Sequence, residues 1–306
     1  MRVFVTGGTG AIGGYAVPAL TDAGHVVTAL ARSDAKADVL RAQGATPVRV
    51  SLFNRDVLAA VFAGHDAVVN LATALPSTTA FVFRSAWKAC DRVRVQGSAA
   101  VVDAVRAAGV PRLIQESVVM IYADGGDEWI NEDHPVDHFP IARGNHAAEG
   151  NARRFADMGG CATVLRFGVF YGHGAANSEQ ILNLARYHIG FVAGRADTYM
   201  SSIHLSDAGA AVAAALTCPG GTYNIVDDNP VTKRQYAQAC ADAVGAKMWC
   251  TSPGRLGLLL GDRLTSLTRS LRVSNARFRA ATDWRPRFPS VKEGYHAMTN
   301  PPHVAG

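Results

Sequence analysis

The opening of this chain constrains it most. A β-branched and aromatic run, Arg2–Thr6, passes without a gap into Gly7-Gly8-Thr9-Gly10-Ala11-Ile12-Gly13, and helical character follows over Tyr15–Ala23. Strand, glycine turn and helix, in that order, is the setting in which such a turn signals dinucleotide binding. Gly7 lets the chain turn off the strand, Gly10 leaves room for a pyrophosphate against the backbone, and Gly13 lets the new helix pack close to the sheet. With Thr9, Ala11 and Ile12 these glycines make the expected phosphate cradle, because the first N–H groups of the helix and its positive dipole end face an anion there.

The alternation continues through the first half. Strand-like runs at His25–Ala31, Thr46–Val50, Asp66–Leu71, Arg112–Ser117 and Cys161–Phe167 are separated by helical stretches at Asp34–Gln43, Asn54–Phe62, Ala86–Ala108 and Ile141–Met158. Gly44, Gly64, Gly109 and Gly159 punctuate the helix ends. This rhythm implies an α/β fold, a Rossmann-type doubly wound parallel sheet with its ligand at the C-terminal strand ends. After Phe170 the rhythm loosens, with helix signals at Ser178–His188, Ser206–Leu216, Thr232–Val244 and Gly254–Leu271 and short strands near Ser201–Leu205 and Thr222–Val226. The expected organisation is a nucleotide-binding domain over residues 1–170, to which elements near 201–227 return, and a smaller substrate-binding domain, mainly 171–306.

Composition narrows the function class. The chain has 306 residues, 48% hydrophobic and 18% charged, which suits a globular protein with a full core. The net charge of +5 comes from scattered arginines with no basic run, so an anionic cofactor explains it and nucleic acid is not an expected partner. Cys90, Cys161, Cys218, Cys240 and Cys250 are widely spaced, read as buried thiols, and form no metal-ligand pattern, so no metal is expected. The N-terminus is already the first strand, without a signal-peptide pattern, and Leu256–Leu260 is too short to span a bilayer. A cytoplasmic protein with no membrane partner is expected.

At this point the chain resembles the extended short-chain dehydrogenase/reductases, the NAD(P)-dependent epimerase/dehydratase family. Thr6–Gly13 is similar to the family's T-G-x-x-G-x-x-G, Asp66–Thr73 to its fourth strand, and Leu165–Gly172 to its L-R-x-x-x-x-Y-G segment. Ile203–Asp207 resembles I-H-x-x-D, Tyr223–Asp227 the Y-N-I strand, and Ser274–Pro289 the closing x-W-x-P-x-x-P segment. By that resemblance Leu52, Leu71, Ala72, Thr73, Phe167 and Val169 lie along the cofactor, and Ala86–Ala108 with Ile141–Met158 occupy the places where the family often builds a homodimer interface.

The resemblance also exposes a departure. Family members usually carry Asn, Ser or Thr, Tyr and Lys, the tyrosine passing a proton and the lysine lowering its pKa and holding the ribose. Alignment puts Arg94 at the Asn, Val118 at the Ser or Thr, Ile141 at the Tyr and Asn145 at the Lys, and no Tyr or Lys occurs between Ala123 and Asp157. Isoleucine and valine transfer no protons, and asparagine carries no charge to depress a pKa. Replacement candidates are Ser117, Glu116, Tyr122, Asn145 and His146, with His134 and His138 in the adjoining loop. Tyr122 also matches a tyrosine that is mainly structural in the family, and strand alternation turns Ser117 away from its neighbour. Glu116 reads either as a desolvated carboxylate or as a pairing partner for Arg94.

At the end of the second strand, Arg32 can pair with a 2′-phosphate and Ser33 can add a hydrogen bond, while Asp34 reads as the cap of the next helix. This favours NADP(H), with NAD(H) as the alternative. Substrate contacts are expected from Thr73–Trp87, from His173–Asn177 and from the tail near Arg195 and Trp249. Phe83 and Trp87 read either as an aromatic substrate pocket or as core and dimer contacts. Three functions fit: NADPH-dependent reduction of a small molecule with a non-standard proton donor, a non-redox cyclisation, isomerisation or elimination, or a redox-silent NADP(H) sensor.

Overall fold

Runs of β-branched and aliphatic residues form the strands at the centre of the molecule. In the computed structural model, which describes residues 1–300, these are β1 (Arg2–Thr6), β2 (Val26–Leu30), β3 (Thr46–Val48), β4 (Ala67–Asn70), β5 (Arg112–Val118), β6 (Cys161–Phe167) and β7 (Gly221–Ile225). All pair in parallel, in the order β7-β6-β5-β4-β1-β2-β3. The winding reverses between β3 and β4, so the switch point lies where β1 meets β4. The main helices are α1 (Gly13–Asp22), α2 (Asp34–Ala42), α3 (Arg55–Phe62), α4 (Lys88–Arg92), α5 (Ser98–Ala107), α6 (Arg143–Asp157), α7 (Ala176–Arg186), α8 (Leu205–Ala214) and α9 (Lys233–Ala243).

Two cores clothe the sheet. On one face Val17, Leu20, Leu40, Ala208 and Val212 of α1, α2 and α8 pack on Val3, Val5 and Val69. On the other, Leu58, Phe62, Val101, Val105 and Phe155 of α3, α5 and α6 pack on Phe4, Val68 and Leu113. With both faces covered, the strands read as near-continuous apolar runs. A third cluster joins α7 and α9 through Ile181, Leu182, Tyr236 and Cys240.

Three local expectations are corrected. The single helix expected over Ala86–Ala108 opens with a tight turn at Arg84–Trp87 and widens to a π-helical segment at Val93–Gly97 before α5. The extra residue per turn alters which side chains face inward, and Arg94 is buried in this segment. The helix expected over Gly254–Leu271 is a 3-10 stretch, Gly254–Arg263, interrupted at Gly261 (φ 49°, ψ −130°), then a short helix, Thr265–Thr268. Just beyond it, Arg272–Val273 is a strand beside Trp129–Ile130. The cap of α2 is Ser33, whose hydroxyl accepts from the Lys36 N–H; Asp34 is the first helical residue. Extended backbone at Ser33 decides between two good cap residues.

All five thiols are free. Cys90, Cys218 and Cys240 are buried as expected, whereas Cys161 is half-buried and Cys250 exposed. Among the described residues, no helix is long and apolar enough to cross a membrane.

Candidate functional site

The glycine turn is built as a cradle. Gly7 has φ +74°, and a Cβ there would lie 2.5 Å from the Leu71 carbonyl, so the turn presses against the exit of β4. At Gly13 a Cβ would lie 2.2 Å from the Gly7 oxygen and 2.6 Å from Gly8 backbone, so the close approach is between helix and loop. At Gly10, by contrast, a Cβ would meet only the Gly7 oxygen, at 3.2 Å. No side chain caps α1 and no acid occupies its first turn. Among the described residues the amides of Ala11 and Ile12 donate to nothing. Unspent donors at a helix N-terminus, with glycine where a side chain would intrude, suit a pyrophosphate.

Beside the cradle a hydrogen-bonded row crosses the strand ends. The Thr6 hydroxyl donates to Asn70 Oδ1 (2.5 Å), Asn70 Nδ2 to Gln115 Oε1 (2.8 Å), and Gln115 Nε2 to the Glu116 carbonyl (2.9 Å). Parallel register aligns these residues, with Thr6 opposite Asn70 and Asn70 opposite Gln115. The row leads into Leu71, Ala72 and Thr73, whose hydroxyl lies 3.5 Å from Cys90 Sγ. Leu52 packs where Gly97 leaves room, and Phe167 is buried at the end of β6. Val169 begins a short strand whose first N–H donates to Ser201.

Arg32 is exposed at the end of β2. Asp34, close by, is held by Arg49 at 2.7 Å. The acid is engaged, while no hydrogen bond or ion pair among the described residues involves Arg32.

The structure brings Arg94, Glu116 and Asn145 together. Arg94 donates to both Glu116 oxygens (2.7 and 3.1 Å) and to Asn145 Oδ1 (2.5 Å), and all three side chains are buried. Burial pushes the Glu116 carboxyl up and Arg94 pulls it back. Both sequence readings of Glu116, desolvated carboxylate and partner of Arg94, thus describe the same group. A guanidinium only donates, so it fixes the Asn145 amide with its oxygen toward Arg94, leaving Nδ2 buried and without a partner. Asp91 Oδ1 and Arg94 Nε are likewise unpartnered, and burial raises the Asp91 carboxyl against Arg143 and Arg94.

Val118 and Ile141 lie in apolar surroundings. Ile141 belongs to an apolar cluster with Trp87, Cys90, Ile121 and Phe139, against which Phe81 and Val118 pack. Trp87 is edge-on to Phe81 at 4.9 Å and donates its N–H to the Phe81 carbonyl (2.8 Å). Phe83 points elsewhere and is 59% exposed.

The remaining candidates sit apart. Ser117 donates to Glu149 (2.6 Å), which in turn holds Arg166 through two bonds (2.8 and 2.7 Å). Tyr122 is fully buried, donates to Asn224 Oδ1 (2.8 Å) and lies under the Arg166 guanidinium. His146 is bound to the Asp137 carbonyl (2.9 Å) and lies against His138, ring centres 4.1 Å apart and planes tilted by 31°, while His134 lies beside the Tyr122 ring. Arg195 pairs with Asp197, and Trp249 stacks on His188 in solvent. Of the His173–Asn177 segment, the His173 carbonyl accepts from Tyr15 and Asn177 holds the Phe170 carbonyl. Sequence reasoning missed Asp91, Glu149 and Lys233. Glu149 carried a signal, since it lies one turn from Asn145 on α6 and so shares its face. Among the described residues no group of three or more His, Cys, Asp or Glu side chains converges as a metal site.

Comparison with known proteins gives concordant matches. The model of the NAD dependent epimerase/dehydratase family matches residues 3–225. A "3-diazoavenalumate denitrifying reductase" from a Streptomyces species is 34% identical over 96% of this chain and 99% of its own length. A ketoreductase from Stigmatella aurantiaca, named for a farnesyl dihydroquinoline-1-oxide substrate, is 30% identical over 81% of this chain and 74% of its own. In structure, a human epimerase family protein solved with NADPH is similar with a TM-score of 0.79 at 23% identity, covering 98% of this chain and 99% of that one. A Thermus thermophilus UDP-glucose 4-epimerase solved with NAD gives 0.75 at 22% identity, covering 98% of each chain.

Proposed function

This chain belongs to the NAD-dependent epimerase/dehydratase family, and on that footing we propose that it is an NADPH-dependent reductase of a small aromatic electrophile that works without the family's tyrosine–lysine proton relay. The observation that carries the proposal is the apolar cluster around Val118 and Ile141, where the relay would stand. A ketone reduced there would leave an alkoxide facing isoleucine and valine, which donate no proton. The site suits a substrate whose reduction needs hydride and no proton.

An aryl diazonium group is such a substrate, and the Streptomyces relative is named as a denitrifying reductase of a diazo compound. The balance is Ar–N2⁺ + H⁻ → Ar–H + N2. The carbon–nitrogen bond breaks, dinitrogen leaves, and charge closes without an added proton. NADPH, when bound, supplies the hydride. The residues of the chain bind and orient. The amides of Ala11 and Ile12 would hold the pyrophosphate, and Arg32, unpaired beside an engaged Asp34, would hold a 2′-phosphate. Asn145 Nδ2, aimed by Arg94 and otherwise unpartnered, would hold a ribose hydroxyl. Trp87, Phe139 and Ile141 exclude water and offer apolar surface to a ring.

The test is consumption of NADPH by the purified protein on two panels. Aryl diazonium acids are expected to be reduced with one dinitrogen released per NADPH, and simple ketones and sugars to be nearly inert. Brisk ketone reduction would mean that an acid is already in place and that the proposal is wrong.

A further inference from the structure

Lys233, the first residue of α9, is 3% exposed and lines a small pocket with Val119, Val169, Met200, Ser266 and Leu267. Arg269, which also lines this pocket, lies over the Phe139 ring at 4.8 Å, so the pocket borders the apolar cluster that holds Ile141. The ammonium donates to the Arg269 carbonyl at 3.0 Å, its only hydrogen bond among the described residues. Two of its three donors are therefore unspent. It also sits at the positive end of the α9 dipole, where a cation is disfavoured and an anion welcome. Burial lowers its pKa to about 8, opposed only by the more distant Asp124, whose carboxylate already serves the Gly126 and Ser270 amides.

A second polar group faces the same space. The Ser266 hydroxyl is buried and has no partner. Arg269 does not compete for a ligand, because its guanidinium is spent on the Tyr122 carbonyl and on Asp137. A buried cation with open valences next to an open hydroxyl, on otherwise apolar walls, is half of a charge-assisted bond.

We propose that Lys233 and Ser266 anchor the carboxylate of an anionic aromatic substrate, making Lys233 the residue that selects acids over neutral analogues. The inference rests on the reading of this site as that of a small-molecule reductase and names the charge its substrate carries. As the structure stands the cavity is about 10 Å³, no more than one water needs, so the carboxylate enters only as the Thr265–Thr268 helix shifts outward, with the Ser266 hydroxyl still turned toward Lys233.

The test measures binding, not turnover, so it stands or falls separately from hydride transfer. Trans-cinnamate and its neutral isostere cinnamamide are titrated into the NADPH-loaded protein, wild type and Lys233→Met, by calorimetry. The wild type is expected to bind the acid at least about tenfold more tightly than the amide, the worth of one charge-assisted bond. Lys233→Met is expected to erase that preference while NADPH still raises its Tm, which shows the variant to be folded, and Lys233→Arg to retain part of it. Equal wild-type affinity for acid and amide, no binding of either, or a preference that survives in Lys233→Met would overturn the proposal. If Lys233→Met fails to fold, the wild-type comparison of acid and amide decides alone.

Discussion

Replacing Gly10 by alanine separates the fold from the ligand. The added Cβ meets one atom of the protein, the Gly7 oxygen at 3.2 Å, in an exposed loop. The cost to the unliganded protein is within about 1 kcal/mol. In the cradle the same methyl occupies the space a pyrophosphate needs to reach the Ala11 and Ile12 amides. At about a hundredfold excess over Kd, NADPH stabilises a binding-competent protein by about 2.7 kcal/mol. At roughly 2–4 °C per kcal/mol, this is a rise in Tm of about 5–10 °C. Thermal unfolding with and without NADPH is expected to show that rise in the wild type and its loss in Gly10→Ala, with the basal Tm nearly unchanged. Gly13→Ala is the contrast. Its Cβ would collide with backbone at 2.2 and 2.6 Å, so basal stability falls by at least about 1–3 kcal/mol. An undiminished NADPH shift in Gly10→Ala would refute the cradle.

Three further outcomes follow from the geometry. Arg32→Asp is expected to weaken NADPH about tenfold and to spare or improve NADH in calorimetric titration, since it removes one charge-assisted contact; an unchanged ratio would remove Arg32 from recognition. His204 is held neutral, its pKa lowered to about 4 by burial and by His173 and Arg287, while its Nδ1 accepts from the Ser206 N–H and caps α8. The unfolded chain therefore binds the extra proton, and stability is lost as pH falls from about 6.5 toward 4, by about 3 kcal/mol from this group. Urea unfolding of His204→Asn, which keeps a cap and removes the titration, is expected to show a flatter acid limb; an unchanged limb would place the acid sensitivity elsewhere. Ile141→Tyr/Asn145→Lys is expected to gain less than about tenfold in ketone reduction with NADPH, against the 10²–10⁴ of a working acid. The new ammonium would crowd Arg94 for a single Glu116, and the phenol would find no partner at Val118. Recovery of full ketone reduction would show that the surrounding site had stayed ready for the relay.

The parallel strands of the sheet were legible because each signal is local. A glycine turn, alternating runs and helix-ending glycines occupy adjacent residues, and β1 to β6 follow from them. What was not legible depends on distant partners. Ser33 and Asp34 are both good caps, and only the backbone angle chooses between them. The π-helical turn at Val93–Gly97 has no glycine or proline to announce it before Gly97. It buries Arg94 so that the guanidinium reaches Asn145 as well as Glu116, and that further bond spans 51 positions of the chain. Lys233 follows a Thr232–Gln235 capping box and reads in sequence as an exposed first-turn lysine, yet it is buried among segments more than thirty residues on either side. Glu149 ties Ser117 to Arg166 across 32 and 17 positions of the chain.

The central claim is hydride transfer without an enzyme proton donor, and the most direct measurement is a pair of isotope effects on a single turnover. NADPH oxidation by the loaded protein is followed with an aryl diazonium acid, once with NADPH deuterated at the transferred position and once in D2O. The account predicts a clear slowing with the deuterated nucleotide and a solvent effect near unity, because no proton moves in the step that the site around Ile141 and Asn145 supports. A substantial solvent effect on that step would contradict it, since it would reveal a proton in flight from a group near the substrate.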